Sequence, residues 1–206
     1  MQITTLATAT GPHIFWITSR AAGIAALILS SVSVCVGVLM STRLRARRGA
    51  EMRVAHEALS LATLAALVVH GLTLLGDSFL HPSLADVAIP FASSYKTFWT
   101  SAGIVSFWAL ALLGLGYYLR GRIGVQRWRR LHRLTALAWL LGLAHALGEG
   151  TDAGQTWFLA MVAIVAIPPL VGLGALWLRR STVAKADTGA SARPAARNPR
   201  PATEQS

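Results

Sequence analysis

The run VAHEALSLATLAALVVHGLTLLG, residues 54–76, is apolar enough and long enough to cross a bilayer, yet it holds His56 near one end and His70 near the other. A second run, LHRLTALAWLLGLAHALG at residues 131–148, repeats the arrangement with His132 and His145. Ionisable side chains inside a membrane are costly and usually functional. These four histidines therefore decide both the fold class and the chemistry to be looked for.

Three further apolar runs fall at about 14–40, 99–119 and 156–178, each near the roughly 20 residues that a membrane-crossing helix needs. The 206 residues are 54% hydrophobic and 13% charged, where a soluble domain carries about 25% charge. The expected fold is all-α: a polytopic membrane helical bundle of five transmembrane helices. Residues 1–13 form a short extracytoplasmic N-terminus and 14–180 the membrane domain. Residues 181–206, low in apolar residues and holding Pro194, Pro199 and Pro201, form a disordered cytoplasmic tail.

A net charge of +11 would ordinarily raise a nucleic-acid partner, but here the basic residues punctuate apolar runs instead of gathering on a polar face. Arg43, Arg45, Arg47, Arg48 and Arg53 follow the first run, Arg120, Arg122, Arg127, Arg129 and Arg130 the third, and Arg179 and Arg180 the fifth. All three groups share one side if five helices alternate, and the positive-inside rule makes that side cytoplasmic. The other side carries Asp77, Asp86, Glu149 and Asp152 against Lys96. The chain is thus expected N-out and C-in, multi-pass in a bacterial cytoplasmic membrane, with lipid and not nucleic acid as its surroundings. The single cysteine, Cys35, excludes a disulfide or thiolate cluster within one chain and reads as a small apolar residue.

Spacings of 14 and 13 residues set the histidines of each run about 20 Å apart along the helix axis. His56 and His132 then share the inner level, and His70 and His145 the outer. One histidine from each of two helices at each level is what axial ligation of a haem iron from both faces requires. Each pair lacks the surrounding carboxylates or thiolates that would complete a zinc or manganese shell. One feature resists: 14 residues return to within about 40° of the same helical face, whereas 13 miss by about 140°. The fourth helix must tilt, bulge or present its ligands from different sides. Gly71 and Gly142, close to His70 and His145, either admit a macrocycle or pack helices.

The spacing His56-x13-His70 and His132-x12-His145 resembles the ferric reductase-like transmembrane domain family, shared by NADPH oxidases, ferric reductases and the haem subunit of bacterial methionine sulfoxide reductase. Ser19-Arg20-Ala21-Ala22-Gly23 and Trp128-Arg129-Arg130-Leu131-His132-Arg133-Leu134 support the resemblance, which covers about residues 14–178. It implies two haem b groups with these four histidines as axial iron ligands, and transmembrane electron transfer from a cytoplasmic or quinol donor. The acceptor outside would be ferric iron, oxygen, or a partner flavoprotein or molybdoprotein. The chain departs from the oxidases in having five predicted helices, not six, and in having no FAD or NAD(P) site. Gly172-Leu173-Gly174 lies in an apolar run without the third glycine of a dinucleotide fingerprint. A separate flavin reductase or quinol is therefore expected as donor, making the chain the membrane electron-transfer component of an oxidoreductase. The competing reading from another class is a non-redox membrane protein that uses the histidines for metal binding or transport.

Arg20, one to two turns into the first helix, needs an anionic partner. The resemblance implies a propionate of the outer haem or an oxidant site, and snorkelling is the alternative. Arg129, Arg130 and Arg133 either touch the inner haem or simply mark the cytoplasmic side. His13 and His81 read as solvated loop histidines. Trp16, Trp99 and Trp157 read as interfacial anchors, and Trp108 and Trp139 as mid-span packing.

Overall fold

The computed structural model describes residues 3–42, 49–77 and 80–191. Among them the chain is wholly helical outside its turns: α1 (Ile3–Ser41), α2 (Gly49–Leu74), α3 (Leu84–Ala88), α4 (Thr97–Leu115), α5 (Arg120–Ile123), α6 (Val125–His132), α7 (Thr135–Glu149) and α8 (Thr156–Ser191). Arg43, Arg45, Arg47 and Arg48 lie outside the described residues, as does 192–206 of the expected tail. Helical backbone continues past Arg180 through Ser191.

Among the described residues four helices are long and apolar enough to span a membrane: His13–Ser41, Gly49–Leu74, Thr97–Leu115 and Thr156–Arg179. Large apolar side chains such as Leu112 (71% exposed) and Ile164 (74%) face outward from them, as lipid-facing positions do. The expected fourth span at 131–148 is not one helix. It is α6 and then α7, the latter 15 residues long, with the α-helix interrupted at Arg133 and Leu134.

The interruption has a local cause. Leu134 N–H donates to Leu131 O at 2.9 Å and Leu137 N–H to Leu134 O at 3.0 Å, both i→i−3 bonds. The His132 carbonyl accepts instead from the Thr135 hydroxyl at 2.6 Å, a side chain replacing a ladder bond. Each i→i−3 step turns about 120° and not 100°, which reduces the angular mismatch that the 13-residue spacing creates.

Helix α1 packs along α2 and α4 along α7, while α8 and α7 both lean on α1. The apolar core joins Leu27 to Trp139, Leu143, Phe158, Val162 and Ala166. Trp139, 1% exposed, donates its indole N–H to Ser31 Oγ at 3.1 Å, and Ser31 in turn donates to Leu27 O at 2.7 Å. Close crossings explain two glycines. A Cβ at Gly172 would lie 2.7 Å from Val38 Cγ1, and one at Gly142 would lie 2.8 Å from Ser106 Oγ. Gly142 is thus a helix-packing residue, and Gly71, whose added Cβ would meet Val87 Cγ1 at 3.4 Å, receives α3. Contact between α2 and α7, the helices carrying three of the four histidines, is sparse.

Candidate functional site

Helix α1 runs antiparallel to α2 and meets its histidines at matching intervals. The His70 ring sits over Gly23, where an added Cβ would stand 3.1 Å from Nδ1. The His56 ring sits over Gly37, at 3.3 Å from Cε1. One turn before each glycine is a serine whose carbonyl takes the Nδ1–H: Ser19 O at 2.8 Å for His70 and Ser33 O at 3.0 Å for His56. Helix α4 serves the other two histidines in the same way. Trp99 O accepts from His145 Nδ1 at 2.8 Å, with Gly103 beneath the ring at 2.6 Å from Nδ1. Leu113 O accepts from His132 Nδ1 at 3.4 Å. The acceptors on each helix, Ser19 and Ser33, Trp99 and Leu113, are 14 residues apart, the same interval as His56 and His70.

A carbonyl oxygen can only accept, so this network assigns the ring proton to Nδ1 in all four histidines and leaves Nε2 with its lone pair. The rings meet in the expected pairs. His56 and His132 have centroids 6.0 Å apart with planes at 87°, and His70 and His145 are 6.4 Å apart at 74°. An imidazole nitrogen bonds a first-row metal at about 2 Å, so two rings sharing one ion from opposite sides stand with centres about 6 Å apart. Metal-bound histidines commonly anchor their other nitrogen on a carbonyl, as all four do here. The glycines admit the rings where a methyl group would crowd them. The donor set therefore fits a porphyrin iron at each level, which His56 with His132 and His70 with His145 would hold.

A further polar group points the same way at the His56–His132 end. Trp128 stacks on His132 with centroids 5.0 Å apart and planes at 26°. Its Nε1 is buried without a hydrogen-bond partner among the described residues, a state that calls for an acceptor.

Arg20 finds its anion in the chain itself: Nη2 pairs with Asp152 Oδ1, and the guanidinium lies 5.0 Å from the Trp16 ring centre and 6.0 Å from that of Trp157. Arg129, Arg130 and Arg133 are exposed, as are His81 and His13, the latter within α1 and not in a loop before it. Trp108, half-exposed, donates to Ala88 O at 2.9 Å and so ties α4 to the end of α3. Cys35 is free and partly buried.

Sequence reasoning did not pick out Ser33, Gly37, Gly103 or the carbonyls of Trp99 and Leu113 as supports of the histidines. A signal was available for two of them. Ser19-x3-Gly23 recurs as Ser33-x3-Gly37 at the interval of the α2 histidines.

Residues 22–143 match the family described as the ferric reductase like transmembrane component. The match takes in His56, His70 and His132 and ends just short of His145. No curated protein and no solved structure matches the chain. With well over half its length matched and its histidines paired across the helices, the chain belongs to the ferric reductase-like transmembrane family.

Proposed function

We propose that this chain is a dihaem b-type electron-transfer protein, with His56 and His132 ligating an inner haem and His70 and His145 an outer one. The observation that carries this reading is the approach of two rings at each level, with centroids 6.0 and 6.4 Å apart, every ring anchored through Nδ1 to a helix carbonyl. Bound there, the haem irons supply one-electron redox chemistry near each face of the bilayer. The chain's own part is to hold the ligands, keep the two levels apart and surround them with apolar helix.

In this reading α6 and α7 together complete a fifth crossing, giving N-out and C-in. The arginines of α5 and α6 face the cytoplasm, and Asp77, Asp86, Glu149 and Asp152 face outside. Electrons come from a separate cytoplasmic flavin reductase or from quinol, and leave to ferric iron, oxygen or a partner flavoprotein or molybdoprotein at the outer face. Arg20, paired with Asp152 and next in sequence to Ser19, whose carbonyl holds His70, is the cation this reading offers to an outer-haem propionate or an arriving oxidant. The alternative of metal binding or transport is less well supported. Among the described residues no group of three or more His, Cys, Asp and Glu gathers to hold an ion.

Absorption spectroscopy of the purified chain, expressed with ample haem, tests the proposal. A Soret band and a reduced α-band of b type are expected, with half the haem lost in a His70→Ala, His145→Ala protein. Absence of both bands would sink the redox reading.

A further inference from the structure

The two α2 histidines are held by more than carbonyls. Ser19 Oγ lies 3.0 Å from His70 Nδ1 and donates its own proton to the His70 backbone carbonyl, also at 3.0 Å. With its proton committed there, Ser19 Oγ receives the Nδ1–H through a lone pair, alongside the Ser19 carbonyl. At the inner level the ring is one hydroxyl longer. Ser33 Oγ is 3.1 Å from His56 Nδ1 and 2.9 Å from Ser60 Oγ, and Ser60 donates to the His56 carbonyl at 2.8 Å. The only direction that satisfies every group runs from His56 Nδ1–H to Ser33, from Ser33 to Ser60, and from Ser60 back to the His56 carbonyl. Among the described residues His132 and His145 have no hydroxyl at Nδ1; a carbonyl alone takes each of those protons.

Each ligand pair therefore joins one hydroxyl-clamped imidazole to one that is not. A second acceptor at Nδ1–H makes the opposite nitrogen more basic, and a more basic axial imidazole favours the ferric over the ferrous ion. We infer that Ser19 and Ser33 are positioning residues that set the ligand strength of His70 and His56, and that Ser60 acts only through Ser33. This rests on the haem assignment proposed above.

Redox titration of the haem-loaded protein, followed in the visible spectrum, tests it, with the two haems told apart by His56→Ala and His70→Ala variants. S19A should raise the midpoint of the outer haem alone, and S33A that of the inner haem alone. The expected change is about tenfold in relative ferric over ferrous binding, which is about 59 mV for a one-electron couple. S60A should move the inner haem in the same direction by less. S19T, which keeps the hydroxyl, should hold the wild-type outer potential, and S33A carries the test if S19A fails to fold. Unshifted potentials in haem-loaded S33A and S60A, or equal shifts of both haems from one serine, overturn the inference alone. A wild-type chain that binds no haem overturns it together with the assignment on which it rests.

Discussion

The His70–His145 and His56–His132 pairs, the outer and inner levels of the proposed orientation, are built from the same parts to different tolerances. At the outer level both rings have carbonyl acceptors at 2.8 Å and both lie over a glycine, Gly23 and Gly103. At the inner level His56 has its acceptor at 3.0 Å and Gly37 beneath it. His132, however, reaches Leu113 O only at 3.4 Å and is packed by Trp128 instead. The reason lies in the helices. His70 and His145 stand within α2 and α7 and are braced by α1 and α4, whereas His132 is the last residue of the short α6, next to the Arg133–Leu134 break. Long helices packed at close range fix an imidazole on backbone atoms, while a helix end fixes it with side chains that can yield.

The largest expected effect breaks the tighter level. Gly103→Val puts a branched side chain where a Cβ alone would stand 2.6 Å from the His145 ring. Such a clash between two helices has no flexible end to move aside, so the outer haem should be lost outright. Gly37→Ala, at 3.3 Å from His56, should retain the inner one. Haem content per chain measures both, and full outer occupancy in the valine variant would show that the levels do not differ as described.

Next is the wild-type protein challenged with an excess of a haem scavenger. Weakened support of a metal-bound histidine costs about 10- to 100-fold in affinity, so the inner haem should leave at least about tenfold faster than the outer. A single dissociation phase comprising both haems would contradict the comparison. A smaller change comes from Thr135→Val, which removes the hydroxyl that accommodates the His132 carbonyl at a cost of about 1 kcal/mol. It should accelerate inner-haem loss severalfold and leave the outer phase untouched.

The smallest effect is confined to α3, whose Val87 packs on Gly71 beside His70. The Ser83 hydroxyl and amide hold the Asp86 carboxyl below the ordinary carboxylate range, within a capping box at the start of α3. Because the folded-state value is the lower one, the cap is intact above the pKa of a free aspartate and is lost as pH falls through the lowered value. Amide exchange across 84–88, corrected for the intrinsic rate, should therefore quicken in acid. Asp86→Asn should abolish that pH dependence.

Much of this was legible before the structure. The four histidines, their pairing and four of the five apolar runs follow from hydropathy and a single interval, because membrane length and helical rise leave few alternatives, while the family was marked by the resemblance of its motifs. The break at Arg133 and Leu134 was not legible as such. It showed only as a phase error of one residue between His132 and His145, which a tilt or bulge would equally have explained. The carbonyls of Trp99 and Leu113 carry no side-chain signature at all, since any residue offers a carbonyl and only the helix pairing selects which. Gly71, next to His70, and Gly142, one turn before His145, pack helices instead. The glycines beneath the rings lie on the partner helices: Gly23 and Gly37 are marked only by the repeated Ser-x3-Gly spacing, and Gly103 by nothing in the sequence. Arg20 was legible as a cation in need of an anion, but Asp152, its partner, is 132 residues away.

The central claim is that the two levels are separate bis-histidine sites, and haem quantification in two double variants tests it most directly. Replacing His56 and His132 by alanine should leave one low-spin haem per chain with the outer potential, and replacing His70 and His145 should leave one with the inner potential. Loss of all haem from either variant, or retention of two, would contradict the account.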